Sequence, residues 1–265
     1  MKTLNSHTIP MITYRYSSSI EIIPLGDLHI GSQETNLTAI SRAIEHVKEK
    51  PNRFAVLTGD LIDNALKTSK SNAYEATMPP NLQVRYVAEL LEPISSRILC
   101  MVDGNHEART KRDVDVSLTH WIALELGLAD VWRPSVAFLY VDLGNAGGGR
   151  RGKRRPKYSI AVTHGVGGGL SAGAGLNRNK PYARAMNCDL IITGHTHQPA
   201  VGNLLRYDPD LSAGVMVPKR QTIMIGTGWM DYGGYGMEKM YDPLPIAPNK
   251  AILSDSQHHI TTTQF

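Results

Sequence analysis

The stretch Ile20-Glu21-Ile22-Ile23-Pro24-Leu25-Gly26-Asp27-Leu28-His29 decides the fold. Six residues of strand character run straight into a glycine turn carrying Asp-x-His. In extended chain Asp27 and His29 fall on the same face, because the strand period is two. Working outward, the pattern returns four times. Residues 54–58 lead into Gly59-Asp60-Leu61-Ile62-Asp63-Asn64, and Ile98–Val102 lead through Asp103 into Gly104-Asn105-His106-Glu107. Residues 159–163 end in His164-Gly165, and Leu190–Thr193 end in Gly194-His195-Thr196-His197. Five strand ends thus deliver Asp, Asn or His. In α/β sheets the carboxyl ends of the strands are where loops turn side chains into one crevice.

Between these strands lie helix signals. Asn36 can cap a helix whose apolar face is Leu37, Ile40, Ile44 and Val47. Residues 81–91 read as a second helix, stopped by Pro93, and residues 117–126 as a third. Further strands are expected at 136–141 and 221–225. The alternation predicts a layered α/β fold in one domain covering residues 1–265, with a motif core at 20–199. Two glycine-rich stretches, 144–157 and 165–175, read as mobile loops. The proline-bearing segment 241–265 reads as a tail that wraps the surface or frays.

Composition bounds the function. The chain has 265 residues, 42% hydrophobic and 20% charged, and no apolar run of membrane-spanning length, so disorder and a membrane helix are both excluded. The first sixteen residues lack the features of a secretory signal, so a cytoplasmic protein is expected. Cys100 and Cys188 read as reduced core thiols. The net charge is +4, but no acidic residue occurs between Asp142 and Asp189, where nine Lys and Arg fall. Six of them, Arg150, Arg151, Lys153, Arg154, Arg155 and Lys157, cluster in one loop, an expected hairpin tip that can contact a polyanion such as nucleic acid. The oligomeric state is left open.

Carboxylate, imidazole and amide oxygen without thiolate suit Mn²⁺ first, with Fe or Zn²⁺ as alternatives, and suit Ca²⁺ poorly. The donors exceed the needs of one ion. Two ions sharing one carboxylate would use the set and activate a bridging water for in-line attack at phosphorus.

Taken in order, Asp-x-His, Gly-Asp-x-x-Asp, Gly-Asn-His-Glu, His and Gly-His-x-His resemble the calcineurin-like metallophosphoesterase superfamily. The resemblance implies a four-layer β-sandwich, two mixed sheets flanked by helices. It also implies that Asp27, His29 and His197 hold a first metal, that Asn105, His164 and His195 hold a second, and that Asp60 bridges. His106 resembles the family's catalytic histidine and Asp63 the carboxylate that orients it and keeps it protonated. Protein serine/threonine phosphatases of the superfamily carry an arginine where this chain has Asn64. That departure points towards the small bacterial and phage-type phosphoesterases.

Asn64 and Arg109 are the candidate substrate contacts, although a solvated arginine is the blander reading of Arg109. Glu107 reads either as support for the site or as a helix N-terminal acid. His46 and His120 read as packing or surface residues, and His258 and His259 as tail residues. The activity implied is hydrolysis of a phosphoester by a metal-bridging hydroxide, with a phosphodiester favoured. A nuclease using the loop 150–157 and a non-catalytic metal-binding scaffold are the alternatives.

Overall fold

Alternate residues of the central strands face two different cores, and this period of two sets the layering. The computed structural model describes residues 8–67, 69, 72–144, 155–168, 173–238, 240 and 242–265. In chain order its elements begin with β1 (Ile12–Tyr16), β2 (Ile20–Leu25), α1 (Leu37–Lys48), β3 (Arg53–Leu57), α2 (Pro80–Leu91), β4 (Ile98–Val102), α3 (Glu107–Val114) and α4 (Leu118–Glu125). There follow β5 (Trp132–Arg133), β6 (Val136–Leu143), β7 (Lys157–Thr163), α5 (Ala174–Met186), β8 (Leu190–Thr193), β9 (Ala200–Asp210), β10 (Val215–Ile225), α6 (Gly234–Glu238), β11 (Asn249–Leu253) and β12 (Ile260–Gln264).

Two mixed six-stranded sheets result. One has the order β1-β6-β7-β8-β10-β9 and the other β12-β11-β2-β3-β4-β5. Ile22, Phe54, Val56, Cys100 and Val102 face the other sheet and meet Leu139, Ile160, Val162, Ile192 and Met224 there. Their alternates Ile23, Leu25, Ala55, Leu57 and Met101 face α1, α2 and α4, packing on Ile40, Ile44, Val84, Val87 and Ile122. A smaller core of Ala161, Ile191 and Ile223 lies under α5 at Ala183. The order helix, sheet, sheet, helix is the expected four-layer sandwich.

Local signals held at α1, where the Asn36 side chain accepts from the Ala39 amide at 2.8 Å. Pro93 does not end the chain's helical path, which continues after α2 as a 3₁₀ segment over Glu92–Arg97. The loop expected at 165–175 is corrected at its end: Ala174 and Gly175 open α5. The expectation that the C-terminal segment wraps or frays is also corrected. β11 pairs antiparallel with β2 at Ala251↔Ile22, and Ala251 and Leu253 are buried in the inter-sheet core. The Tyr158 hydroxyl, held against Ser254, Gln257 and His259 carbonyls, ties down the turn into β12.

The parallel strands β2, β3, β4, β7 and β8 all run towards one edge of the sandwich, so the five motif-bearing turns open there together.

Candidate metal centre

The turns that follow these strands are bent sharply enough to aim their side chains inward. Asp27, His29, Asp60, Asn64, His195 and His197 all have φ between 44° and 69°, the left-handed region that costs a non-glycine residue energy. Cross-lacing holds the strain: the Asp27 amide donates to the Gly59 carbonyl (2.9 Å), the His29 amide to Asp60 (3.1 Å) and the Asp63 amide to Ile30 (2.9 Å). Gly104 lets the Asp60 carboxylate lie directly against the backbone, and Gly194 does the same for Asp27. A Cβ at either position would fall 2.1 Å or 2.3 Å from a carboxylate oxygen.

All seven expected ligands converge. His29 Nε2 lies 3.0 Å from His197 Nε2, and His197 Nε2 lies 3.4 Å from Asp27 Oδ1. On the other side His164 Nε2 lies 2.9 Å from Asn105 Oδ1, 3.0 Å from His195 Nδ1 and 3.3 Å from Asp60 Oδ2. Asp60 Oδ2 is 3.9 Å from His29 Nε2, which places this carboxylate between the two groups. Donors held at about 2.1 Å from one ion lie about 3.0 Å apart in octahedral and about 3.4 Å apart in tetrahedral geometry, so these spacings fit divalent cations.

Electrostatics agrees with the geometry. Burial holds the His29 imidazole well below its ordinary value, leaving a neutral ring with a lone pair to give. Burial also opposes charge on Asp60 and on His164, but their mutual attraction outweighs it. Asp60 sits well below the usual carboxylate range, and His164 is pushed up to about 10. The carboxylates thus demand a cation, and a metal ion would displace the His164 proton on binding.

The calcineurin-like phosphoesterase family matches this sequence over residues 20–199, a span that carries every one of these donors. The chain belongs to that family. A search of the curated proteins finds no match. Among solved structures, vacuolar protein sorting 29 from Cryptosporidium parvum is 14% identical, with 94% of this chain and 99% of that one covered and a TM-score of 0.41. A conserved uncharacterized protein from Streptococcus pneumoniae, described as a predicted phosphoesterase, is 12% identical over 94% and 99% of the two chains, with a TM-score of 0.36. The NAD nucleotidase of Haemophilus influenzae is 10% identical over 94% of this chain and 50% of its own, again at 0.36.

In this calcineurin-like chain His106 stands at the mouth of the donor set. Its Nδ1 lies 2.6 Å from the Asp63 carbonyl oxygen and 3.4 Å from Asp63 Oδ1, so Asp63 grips it with its backbone more closely than with its carboxylate. Nε2 is left facing Asp60 Oδ2 at 3.8 Å, close enough that His29, Asp60 and His106 form a third metal-competent group beside the two expected ones. Burial works against protonation of His106, but the Asp60 charge and the Asp63 hydrogen bond outweigh it and raise its pKa.

Asn64 is corrected as a substrate contact. It is fully buried, its side-chain amide donating to the His106 carbonyl (2.7 Å) and the Thr110 hydroxyl (2.9 Å). It positions the turn that carries His106. Arg109 does line the cavity, donating to the Asp63 carbonyl at 3.0 Å.

Glu107 combines both readings offered for it. As the first residue of α3 it is buried, and its carboxylate accepts the amides of Gly104, Asp60, Leu61 and Ile62 at 2.7 to 3.2 Å. Burial and the Asp60 charge push it up to about 7. Residues that motif reading missed orient the imidazoles: the Thr58 carbonyl lies 2.8 Å from His164 Nδ1, and the Gly167 carbonyl 2.8 Å from His195 Nε2. Backbone acceptors leave no residue-type signal.

A cavity of about 530 Å³ opens over the donors. Beyond them its wall carries Glu34, Asp63, Glu75, Asp231 and Asp242, with Arg109 the one Lys or Arg side chain among the described residues lining it. The described part of the basic loop lies elsewhere. Arg150, Arg151, Lys153 and Arg154 lie outside the described residues. Lys157 opens β7 and Thr163 closes it, so Lys157 and its neighbour Arg155 stand about 20 Å along the strand from His164. Packing accounts for His120, stacked on Trp132, and for His46, stacked on Phe265. Among the described residues no helix is long and apolar enough to cross a membrane.

Proposed function

We propose that this family member hydrolyses small phosphoesters, phosphodiesters in preference to monoesters, with two divalent ions. Asp27, His29 and His197 would hold one, Asn105, His164 and His195 the other, and Asp60 would lie between them, with Mn²⁺ the first choice. When bound, such ions lower the pKa of water and offset charge developing on a phosphoryl group. The observation that carries the reading is the Asp60 carboxylate, set between two clusters of donors at ligand spacing.

The chain's own residues supply the rest. With Nδ1 held by Asp63, His106 presents Nε2 to the cavity and can pass a proton to a leaving oxygen. A scaffold without activity would have no use for that arrangement. Arg109 can meet one phosphoryl oxygen. A diester carries one negative charge and a monoester near two, and a cavity with one guanidinium and five carboxylates in its wall beyond the metal donors favours the smaller charge.

The same wall disfavours a polyanion, and the described part of the basic loop lies at the far end of β7, so no observation favours the nuclease alternative. The test is parallel assay, with Mn²⁺, of an aryl phosphodiester, an aryl phosphomonoester and single- and double-stranded DNA. The expected order is diester, then monoester, then DNA. Cleavage of DNA faster than the aryl diester would overturn the reading.

A further inference from the structure

The long β9–β10 hairpin is only half held by the sandwich. β10 pairs with β8 over Thr222 to Ile225, whereas residues 215–221 pair with β9 alone. The outer half is therefore a two-stranded ribbon projecting from the end of the sheet opposite the metal centre, since β10 runs parallel to β8 and β8 ends at the site. An isolated ribbon of this kind is marginal in water. This one exposes unusually apolar residues: Leu205 at 62%, Tyr207 at 58% and Met216 at 56% on one face, and Val215 and Leu211 beside the turn. Leu205 and Tyr207 stand on β9 itself, where a second strand alongside would cover them, and Met216 faces the same way from β10.

β9 is also an edge strand of eleven residues, whose outer hydrogen-bonding groups have no strand beside them among the described residues. Pro209 fixes which groups these are. Having no N–H, it occupies a position whose amide direction faces away from β10, and Tyr207 and Leu205, two and four residues back, share that direction.

The geometry points to a homodimer in which β9 pairs antiparallel with β9 of a second copy, centred on Tyr207, joining two six-stranded sheets into one. In that register Tyr207 faces its own equivalent and exchanges two backbone hydrogen bonds with it. Leu205 donates to the Pro209 carbonyl of the other copy, so the proline costs no bond that Leu205 needs. Arg206 falls opposite Asp208 of the second copy, twice by symmetry, making the edge self-complementary in charge. Within one chain Arg206 Nη2 already lies 3.0 Å from Asp208 Oδ2, and both side chains remain partly exposed, at 22% and 37%. With Lys219, whose Nζ lies 3.5 Å from the same Asp208 Oδ2, each copy contributes three charges, and a six-charge cluster would form across the two-fold axis.

The test is sedimentation equilibrium of the full chain at protein concentrations up to about 100 μM, with turnover of an aryl phosphodiester and far-ultraviolet circular dichroism as checks on folding. Wild type is expected to be a dimer. Arg206→Asp sets like charges opposite each other and is expected to raise the dissociation constant by at least about tenfold, and the swap Arg206→Asp with Asp208→Arg is expected to restore it. Neither change should alter turnover. A monomeric wild type at the highest concentration, a dimer indifferent to Arg206→Asp, or failure of the swap to restore association would each overturn the proposal.

Discussion

Replacing Gly104 by alanine perturbs the centre of the site through a single methyl group. The added Cβ would lie 2.1 Å from both the amide nitrogen and Oδ1 of Asp60, whereas ordinary contact begins at 3.4 Å. Asp60 must therefore retreat by about 1.3 Å or the 104–107 turn must move by as much. Neither can happen alone. The Asp60 carboxylate also accepts the His106 amide at 2.8 Å, and Glu107 ties Gly104 to the Asp60–Ile62 amides. Overpacking of this kind costs about 1–3 kcal/mol of stability. A misplacement of about 1 Å at a reacting centre lowers rate by about 10²-fold, and loss of the ligand's position weakens metal binding as well. The assay is calorimetric titration with Mn²⁺ followed by turnover of an aryl phosphodiester. Gly173→Ala serves as the control, because its added methyl meets nothing within 4 Å among the described residues. Gly104→Ala with wild-type metal affinity and turnover would refute the claim that Asp60 is held at the centre by close backbone approach.

Other variants separate the roles. His106→Ala is expected to keep both metals, read by elemental analysis, while turnover falls by about 10²-fold or more. Asp60→Asn is expected to lower metal content and rate together, and identical behaviour of the two would contradict the division of roles. Glu107→Gln turns an NH₂ group towards amides that need an acceptor, so thermal unfolding should show a loss of about 1–3 kcal/mol along with weaker metal binding. His258, stacked on Tyr158, has its pKa raised by Asp189, whose own pKa is lowered in turn. The His258 contribution is complete below its unfolded pKa near 6.5 and fades as pH rises through the folded value. The Asp189 contribution fades as pH falls through its depressed one. The pH-dependent part of the Tm deficit of His258→Gln should therefore peak between about pH 4 and 6.5 and disappear in alkali. With His258 half exposed it should stay near 1–2 °C.

The site was legible because its ligands sit immediately after strand-like segments, so position along the chain gave position in space. The four-layer order came from the family resemblance; in the structure Ile22 and Ile23, or Val56 and Leu57, face opposite cores and bury both faces of their sheet. Other features depend on partners distant in sequence. β11 becomes a strand by pairing with β2, more than two hundred residues away, and its proline-bearing approach hides that. α3 starts at the motif itself and is rich in charge, so its periodicity carries no apolar stripe. The outer half of β9 lacks a buried face altogether. Asn64 read as a substrate contact because it stands where related protein phosphatases carry an arginine; its burial depends on Thr110, Gln83 and the path of α3. The left-handed turns at Asp27, His29, Asp60, His195 and His197 carry no glycine signal, because the ligands themselves bear the strain.

The most direct test of a two-metal phosphoesterase centre is a titration. The chelated, metal-free protein is assayed on an aryl phosphodiester as Mn²⁺ is added, with bound metal counted in the same samples. The expected result is no turnover without metal, and activity that rises and levels off as bound Mn²⁺ reaches two ions per chain. Turnover that survives chelation, or a protein that binds no transition metal at these residues, would contradict it.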